Sequence, residues 1–323
     1  MEHPFAQYIQ MLGKGRKGSR DLTQQEAQQA LEMILAGKVE PVQLGAFLML
    51  MRVKEETPAE VAGFVQAARA SLRLPSGLPA VDLDWASYAG KRRQLPWYLL
   101  SALLLSNHGI SVLMHGIGGG VAGRVFVPQA LQALGIEPSA SIADAADKIS
   151  KTKFAFLPLH AISPDLERIL DLKPVLGLRS PVHTIIRMLN PFGAPASIMG
   201  IFHPGYDDTH QRAGVLLGDK NLAVFKGEGG EAERNPDAPC TVKLVLEGKA
   251  LDEEWPAQFN SRHMKDDAMD VTRLAQLWRG EITDEYGRAA VTGTAAIALR
   301  ALGRADGIDA AQKMADAMWQ ERK

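Results

Sequence analysis

The apolar positions of residues 1–76 recur at helical spacing. Thr23, three residues ahead of Glu26, supplies a capping box for a helix through 24–36, and Gly37 stands where that helix should end. The segment 41–53 is apolar nearly all round, which predicts burial or a subunit interface. Thr57-Pro58-Ala59-Glu60 opens a third helix, with proline in the first turn and an amphipathic run to Leu72. Pro75, Gly77 and Pro79 then break the pattern and mark a boundary. Beyond it, short apolar runs at 111–114, 154–157, 197–202, 221–225 and 240–246 read as strands, and the stretches 98–106 and 127–134 between them read as helices. This alternation predicts an α/β domain over 77–323 with a mostly parallel sheet. Residues 161–186 have helical texture and are expected to pack back onto the N-terminal helices, while the alanine-rich C-terminal helices are expected to cover the sheet.

Composition bounds the class of protein without fixing an activity. Of 323 residues, 46% are hydrophobic and 23% charged, which is too apolar for a disordered chain and long enough for a large core. The N-terminus lacks the basic-then-apolar order of a secretory signal. The stretch 98–114 is interrupted by Asn107, His108 and Gly109, so it reads as helix, turn and strand and not as a membrane span. A cytoplasmic location is the expectation. Cys240 is the single cysteine, which excludes an intrachain disulfide or a Cys-rich zinc site. A formal net charge of −1 argues against an overall basic coat and is silent about local patches.

Two stretches, 13–18 and 118–123, fit the glycine spacing of a dinucleotide site. The first follows a helix, and after the second no acidic residue ends a following strand, so neither meets the structural context. None of the eight histidines has metal-ligand spacing, and His115 and His203 read as structural. The acidic run 227–233 could offer carboxylates to Mg²⁺, but its plainer reading is a solvated turn. The basic residues say more. Lys14, Arg16, Lys17 and Arg20 share one glycine-rich loop, and Lys91, Arg92 and Arg93 form a second cluster just before Trp97 and Tyr98. Glycine lets a loop follow a phosphate chain closely, arginine forks bind phosphate oxygens in pairs, and aromatic rings offer stacking faces. In a nearly neutral chain such clusters require acid to be gathered elsewhere, for which 252–254 and 266–270 are candidates.

The order of His115-Gly116 after a strand, LQALGI at 131–136, FAFLPLHAISPDLERILDLKPVLGLRS at 154–180, NPFGA at 190–194 and GIFHPGY at 200–206 resembles anthranilate phosphoribosyltransferase and its relatives in glycosyltransferase family 3. The resemblance implies a nucleoside phosphorylase/phosphoribosyltransferase-like architecture. A small all-helical domain, 1–76 joined by 161–186, would carry a dimer contact beside a larger α/β domain over 77–323, with a cleft between them.

The departures from that pattern bear on function. The resembled enzymes hold phosphoribosyl pyrophosphate on a G-T-G-G-D-G loop followed by N-T-x-N-x-S-T; here the same place reads ASYAGKRRQLPWYL, keeping only Gly90 usefully. Their K-H-G-N turn becomes Met114-His115-Gly116-Ile117, and their S-S-K-S segment becomes GGGVAGR. Their metal-binding Asp-Glu pair falls on Ala232-Glu233, with Glu231 as a substitute, and an arginine facing the aromatic acceptor falls on Lys173. The pattern Y-x-G-x-R/K-x-Q from Tyr88 to Gln94, read as following the second strand, resembles instead the YbiB-like branch of the family.

That resemblance implies a homodimeric, non-catalytic protein that binds nucleic acid, single-stranded or without sequence preference, and needs no cofactor. Lys14, Arg16, Lys17 and Arg20 would contact phosphates from the helical domain and Lys91, Arg92 and Arg93 from the α/β domain, with Lys173, Arg179 and Arg187 along the floor. The alternative is a phosphoribosyltransferase with an altered acceptor, using Glu231 and Glu233 for Mg²⁺ and the 118–123 turn for phosphate. A metabolite- or protein-binding scaffold is a third reading.

Overall fold

The computed structural model describes residues 2–119, 121–266 and 268–322; Gly120 of the 118–123 turn and Asp267 of the 266–270 acidic run lie outside them. Four helices open the chain: α1 (Ala6–Gly13), α2 (Gln24–Leu35), α3 (Pro41–Lys54) and α4 (Pro58–Ser71). The α2 capping box forms as the sequence requires, the Thr23 hydroxyl accepting from the Glu26 N–H and the Glu26 carboxylate accepting from the Thr23 N–H. Glu60 repeats this at the start of α4 and also accepts from the Leu22 N–H at 2.8 Å and from Lys54 at 2.7 Å. One buried carboxylate thus joins α3, α4 and the entry to α2. On α3, Phe47, Leu48 and Met51 are buried while Val42 and Val53 are 78% and 83% exposed. Its all-round apolar character therefore serves the core on one side and leaves apolar surface on the other.

Short helices at Pro164–Leu170, Lys173–Leu176 and Val182–Ile185 lie against this bundle. Ile169, Val182 and Ile185 share a buried cluster with Phe47, Leu48 and Phe64, which is how the 161–186 segment meets the N-terminal helices. Arg69 on α4 donates to the Met188 carbonyl at 3.0 Å and pairs with Asp219 at 2.9 Å, a second tie to the sheet domain.

The sheet has seven strands: β1 (Leu83–Ser87), β2 (Val112–Gly116), β3 (Phe154–Pro158), β4 (Ala196–Ile201), β5 (Asn221–Lys226), β6 (Cys240–Leu246) and β7 (Lys249–Trp255). Their order is β3-β2-β1-β4-β5-β6-β7, with β1 to β5 parallel and β6 and β7 antiparallel. The first and last strands escape a reading based on apolar runs. β1 carries Asp84 in a fully buried strand, and β7 is an edge strand of mostly exposed, largely charged residues. The Tyr88–Gln94 pattern consequently follows the first strand and not the second. Residues 98–114 resolve into helix α5 (Tyr98–Asn107), a turn at His108-Gly109 and the start of β2. The helices Glu285–Ala301 and Ile308–Glu321 bury Val291, Ile297, Leu299 and Trp319 in the cluster that holds Trp85 and Phe225 of the sheet. Among the described residues no helix is long and apolar enough to cross a membrane.

The chain winds outward from β1 in one direction through β2 and β3, and from β4 in the other through β5. The C-terminal ends of β1 and β4 therefore flank the switch point, where open α/β sheets leave a crevice. The loop that leaves β1 there carries the second basic cluster.

Candidate nucleic-acid interface

The loop after β1 points its backbone donors inward, and the protein's own carboxylates fill them. Glu231, fully buried, accepts from the Ala89 N–H at 2.6 Å and the Gly90 N–H at 2.5 Å through one oxygen. Glu233 accepts from the Tyr98 N–H at 2.9 Å, at the first turn of α5, where the unpaired donors of a helix start favour an anion. Glu228 accepts from the Arg93 N–H at 2.9 Å. The path of this acidic segment is set by glycine: Gly200 on β4 lies so close to the Glu231 backbone that no side chain would fit. Gly90 itself adopts φ +66 against the Phe126 ring. The reading of 227–233 as a solvated turn is thus corrected, because Glu231 and Glu233 are core residues that hold the loop.

Lys91 is corrected with them. Its ammonium is 2% exposed and bonded to Glu233 at 2.5 Å and Glu228 at 3.0 Å, so it faces inward and is already neutralised. Burial alone would lower its pKa, but the two glutamates outweigh burial and hold it above the usual lysine value. Trp97 and Tyr98 are fully buried and offer no stacking face. Sequence spacing could not reveal this, since alternate residues of an irregular loop have no fixed side.

Arg92 and Arg93 remain exposed, as do Lys14, Arg16 and Lys17 in the turn after α1, where Gly15 takes φ +82. Arg20 is exposed but engaged, its guanidinium held by both oxygens of Glu26 at 2.7 and 2.8 Å. Lys173 is exposed, whereas Arg179 and Arg187 are half-buried in the crevice. The structure adds cations that no run in the sequence announces. Arg52, near the end of α3, lines the same cavity as Arg179 and Arg187. Arg124 donates to the Ala89 and Gly90 carbonyls at 2.8 and 3.1 Å. Burial first, then the guanidinium groups of Arg124 and Arg52, press the Arg179 pKa down. Lys54, two residues past Arg52, binds Asp21 at 2.8 Å beside the N-terminal basic loop. Through Arg124 the second basic loop therefore adjoins the crevice.

The acid is less segregated than expected. The Asp266 N–H donates to the Arg93 carbonyl at 2.9 Å, and its carboxylate accepts from the Leu95 N–H at 3.0 Å and pairs with Arg273 at 2.6 Å. This segment also carries exposed Arg262 and Lys265, and its Met264 carbonyl accepts from Gln94, so the charge next to the second basic loop is mixed.

Two histidines in the crevice give a pH prediction. Burial pushes His210 down to about 4 and, together with Arg179 and Arg187, pushes His183 down to about 3. Below the ordinary histidine value of about 6.5 the unfolded chain binds protons that the folded one refuses. Stability is therefore complete above that value and falls as pH drops toward 4. Urea midpoints at pH 7 and pH 5 check this, and His210→Gln should shrink the difference between them.

A helical bundle beside a doubly wound sheet, with an open crevice at the switch point, is the anthranilate phosphoribosyltransferase-like fold of glycosyltransferase family 3. Residues 6–72 match the family described as glycosyl transferase family, helical bundle domain. Over the whole chain the structure is similar to anthranilate phosphoribosyltransferase (TrpD) from Thermus thermophilus, with a TM-score of 0.80 at 22% identity, covering 97% of this chain and 94% of that one. In sequence it is 29% identical over 299 residues to an uncharacterized protein of Aquifex aeolicus, covering 90% of this chain and 91% of the other. It is 28% identical over 246 residues to the uncharacterized protein YbiB of Escherichia coli, covering 75% and 76%.

Proposed function

We propose that this chain is a homodimeric nucleic-acid-binding protein without transferase activity, working in the cytoplasm without a cofactor. The observation that carries the reading is the inward filling of the loop after β1. Its backbone donors and the start of α5 are occupied by Glu231 and Glu233, while Arg92 and Arg93 face solvent from the same loop. A pyrophosphate would have to displace buried carboxylates that are themselves hydrogen-bonded, and Mg²⁺ would have to draw Glu233 away from Lys91. A chain of phosphates needs neither step, because exposed cations suffice for it, and Lys14, Arg16, Lys17, Arg92 and Arg93 are all exposed.

Backbone contacts of this kind carry no base code, so binding should be sequence-tolerant. The exposed apolar residues Val42 of α3 and Val175 of the 173–176 helix support a dimer contact through the helical domain. Two grooves on one particle then raise the avidity for long strands. Titration of a labelled oligonucleotide at low salt tests the reading, and no binding there would overturn it. Calorimetry with phosphoribosyl pyrophosphate and Mg²⁺ tests the transferase alternative. The expected result is no heat of binding, and micromolar affinity would revive the enzyme.

A further inference from the structure

The cavity at the switch point, of about 70 Å³, is lined by more positive than negative side chains. Arg52, Arg179 and Arg187 reach it from three separate elements: α3, the turn before Ser180, and the helical turn Ile186–Met188. The arginine ion pairs of the described residues all involve other arginines. Arg187 is fixed by backbone carbonyls, its Nε donating to Gly200 at 3.2 Å and its Nη1 to His183, which leaves Nη2 without an acceptor among the described residues. The one carboxylate in the lining, Glu56, is engaged by the Tyr206 hydroxyl at 3.2 Å. Ser180, also in the lining and 6% exposed, has a hydroxyl with no hydrogen-bond partner. A buried hydroxyl and a guanidinium edge, both unpartnered and both on residues that line one cavity, are groups that a bound oxyanion can satisfy.

Charge and shape select the class of anion. Three arginines against one glutamate leave a surplus of positive charge in the lining, part of which the buried Glu231 offsets at Arg187, while burial lowers the pKa of His183 and His210. A monocarboxylate brings a single charge and two oxygens. A phosphodiester also carries one charge and must lead an ester arm away on either side of the phosphate. A phosphomonoester carries about −1.5 to −2 at pH 7, with three oxygens for three guanidinium forks and a single arm to lead outward. Phe202, 48% exposed in the lining, gives that arm an aromatic face to lie against.

We propose that this cavity binds a phosphomonoester dianion, either the terminal phosphate of a nucleic-acid strand or a small free phosphate ester. The first source rests on the nucleic-acid reading above, and the second stands without it. The test uses one oligonucleotide sequence with a 5′-phosphate, with a 3′-phosphate or with neither, and inorganic phosphate and a nucleoside monophosphate titrated separately by calorimetry. For the strand-end source, one phosphorylated end should bind at least about tenfold more tightly than the unphosphorylated strand. Arg187→Gln should abolish that preference, with Arg52→Gln, on another element, as the check should the first variant fold poorly. Binding of the monophosphate with no oligonucleotide binding would keep the site and discard the nucleic-acid reading. Equal affinity for all three strands, with no binding of either small phosphate, would overturn the proposal while leaving the groove intact.

Discussion

Replacing Lys91 with methionine should lower the unfolding free energy by about 3–5 kcal/mol, the cost of stranding a buried charge whose partner is gone. The ammonium is 2% exposed and bridges Glu228 and Glu233, and Glu233 in turn anchors the first turn of α5. Methionine keeps the length of the side chain, so the loss reports charge and not volume. Adding Glu233→Gln should recover part of it, because the amide oxygen can still accept from the Tyr98 N–H. Arg92→Ala and Arg93→Ala, on the exposed side of the same loop, should each stay within about 0.5 kcal/mol of the parent. Urea denaturation of the set separates these cases. A Lys91→Met protein as stable as the parent would mean that the inward-turned lysine does not hold the loop.

That contrast within one loop marks how far the sequence alone can be read. Thr23-Glu26 and Thr57-Glu60 announce their helices because a cap depends only on neighbours three residues apart. Five strands are visible as apolar runs, while β1 and β7 are hidden, one by a buried aspartate and the other by its charged edge. The collinear motifs from His115 to Tyr206 point to the fold, and the comparisons bear it out. The site is legible only in part. That Lys91, Arg92 and Arg93 sit where a phosphate loop would be is a matter of sequence order, but which of them faces inward depends on Glu228 and Glu233, more than 130 residues away. Arg52 and Arg124 stand alone in sequence and gain significance only when α3 and the 89–90 loop meet the crevice.

The largest effect on binding should come from replacing Lys14, Arg16, Lys17, Arg92 and Arg93 together with alanine. All five are exposed and none enters an ion pair among the described residues, so the fold should tolerate the change. If each meets one phosphate, the slope of log affinity against log salt should shrink in magnitude by about 3.5 to 4.5, at roughly 0.7 to 0.9 per contact. Affinity should fall alike for every sequence tested, since such contacts read no bases. Replacing Arg20 alone should cost less binding, because Glu26 already holds its guanidinium with both oxygens. A variant that lost affinity for some sequences and kept it for others would point to base-edge contacts instead.

On the proposed function, a loop turned inward on its own carboxylates leaves an outward cationic surface for a polyanion. The most direct measurement is the affinity of the unaltered protein for a labelled single-stranded oligonucleotide across a salt series. The expected result is binding at low salt that weakens linearly on logarithmic axes, with a slope of about −3.5 or steeper from five phosphate contacts. Absence of binding at low salt, or an affinity that salt does not change, would contradict it.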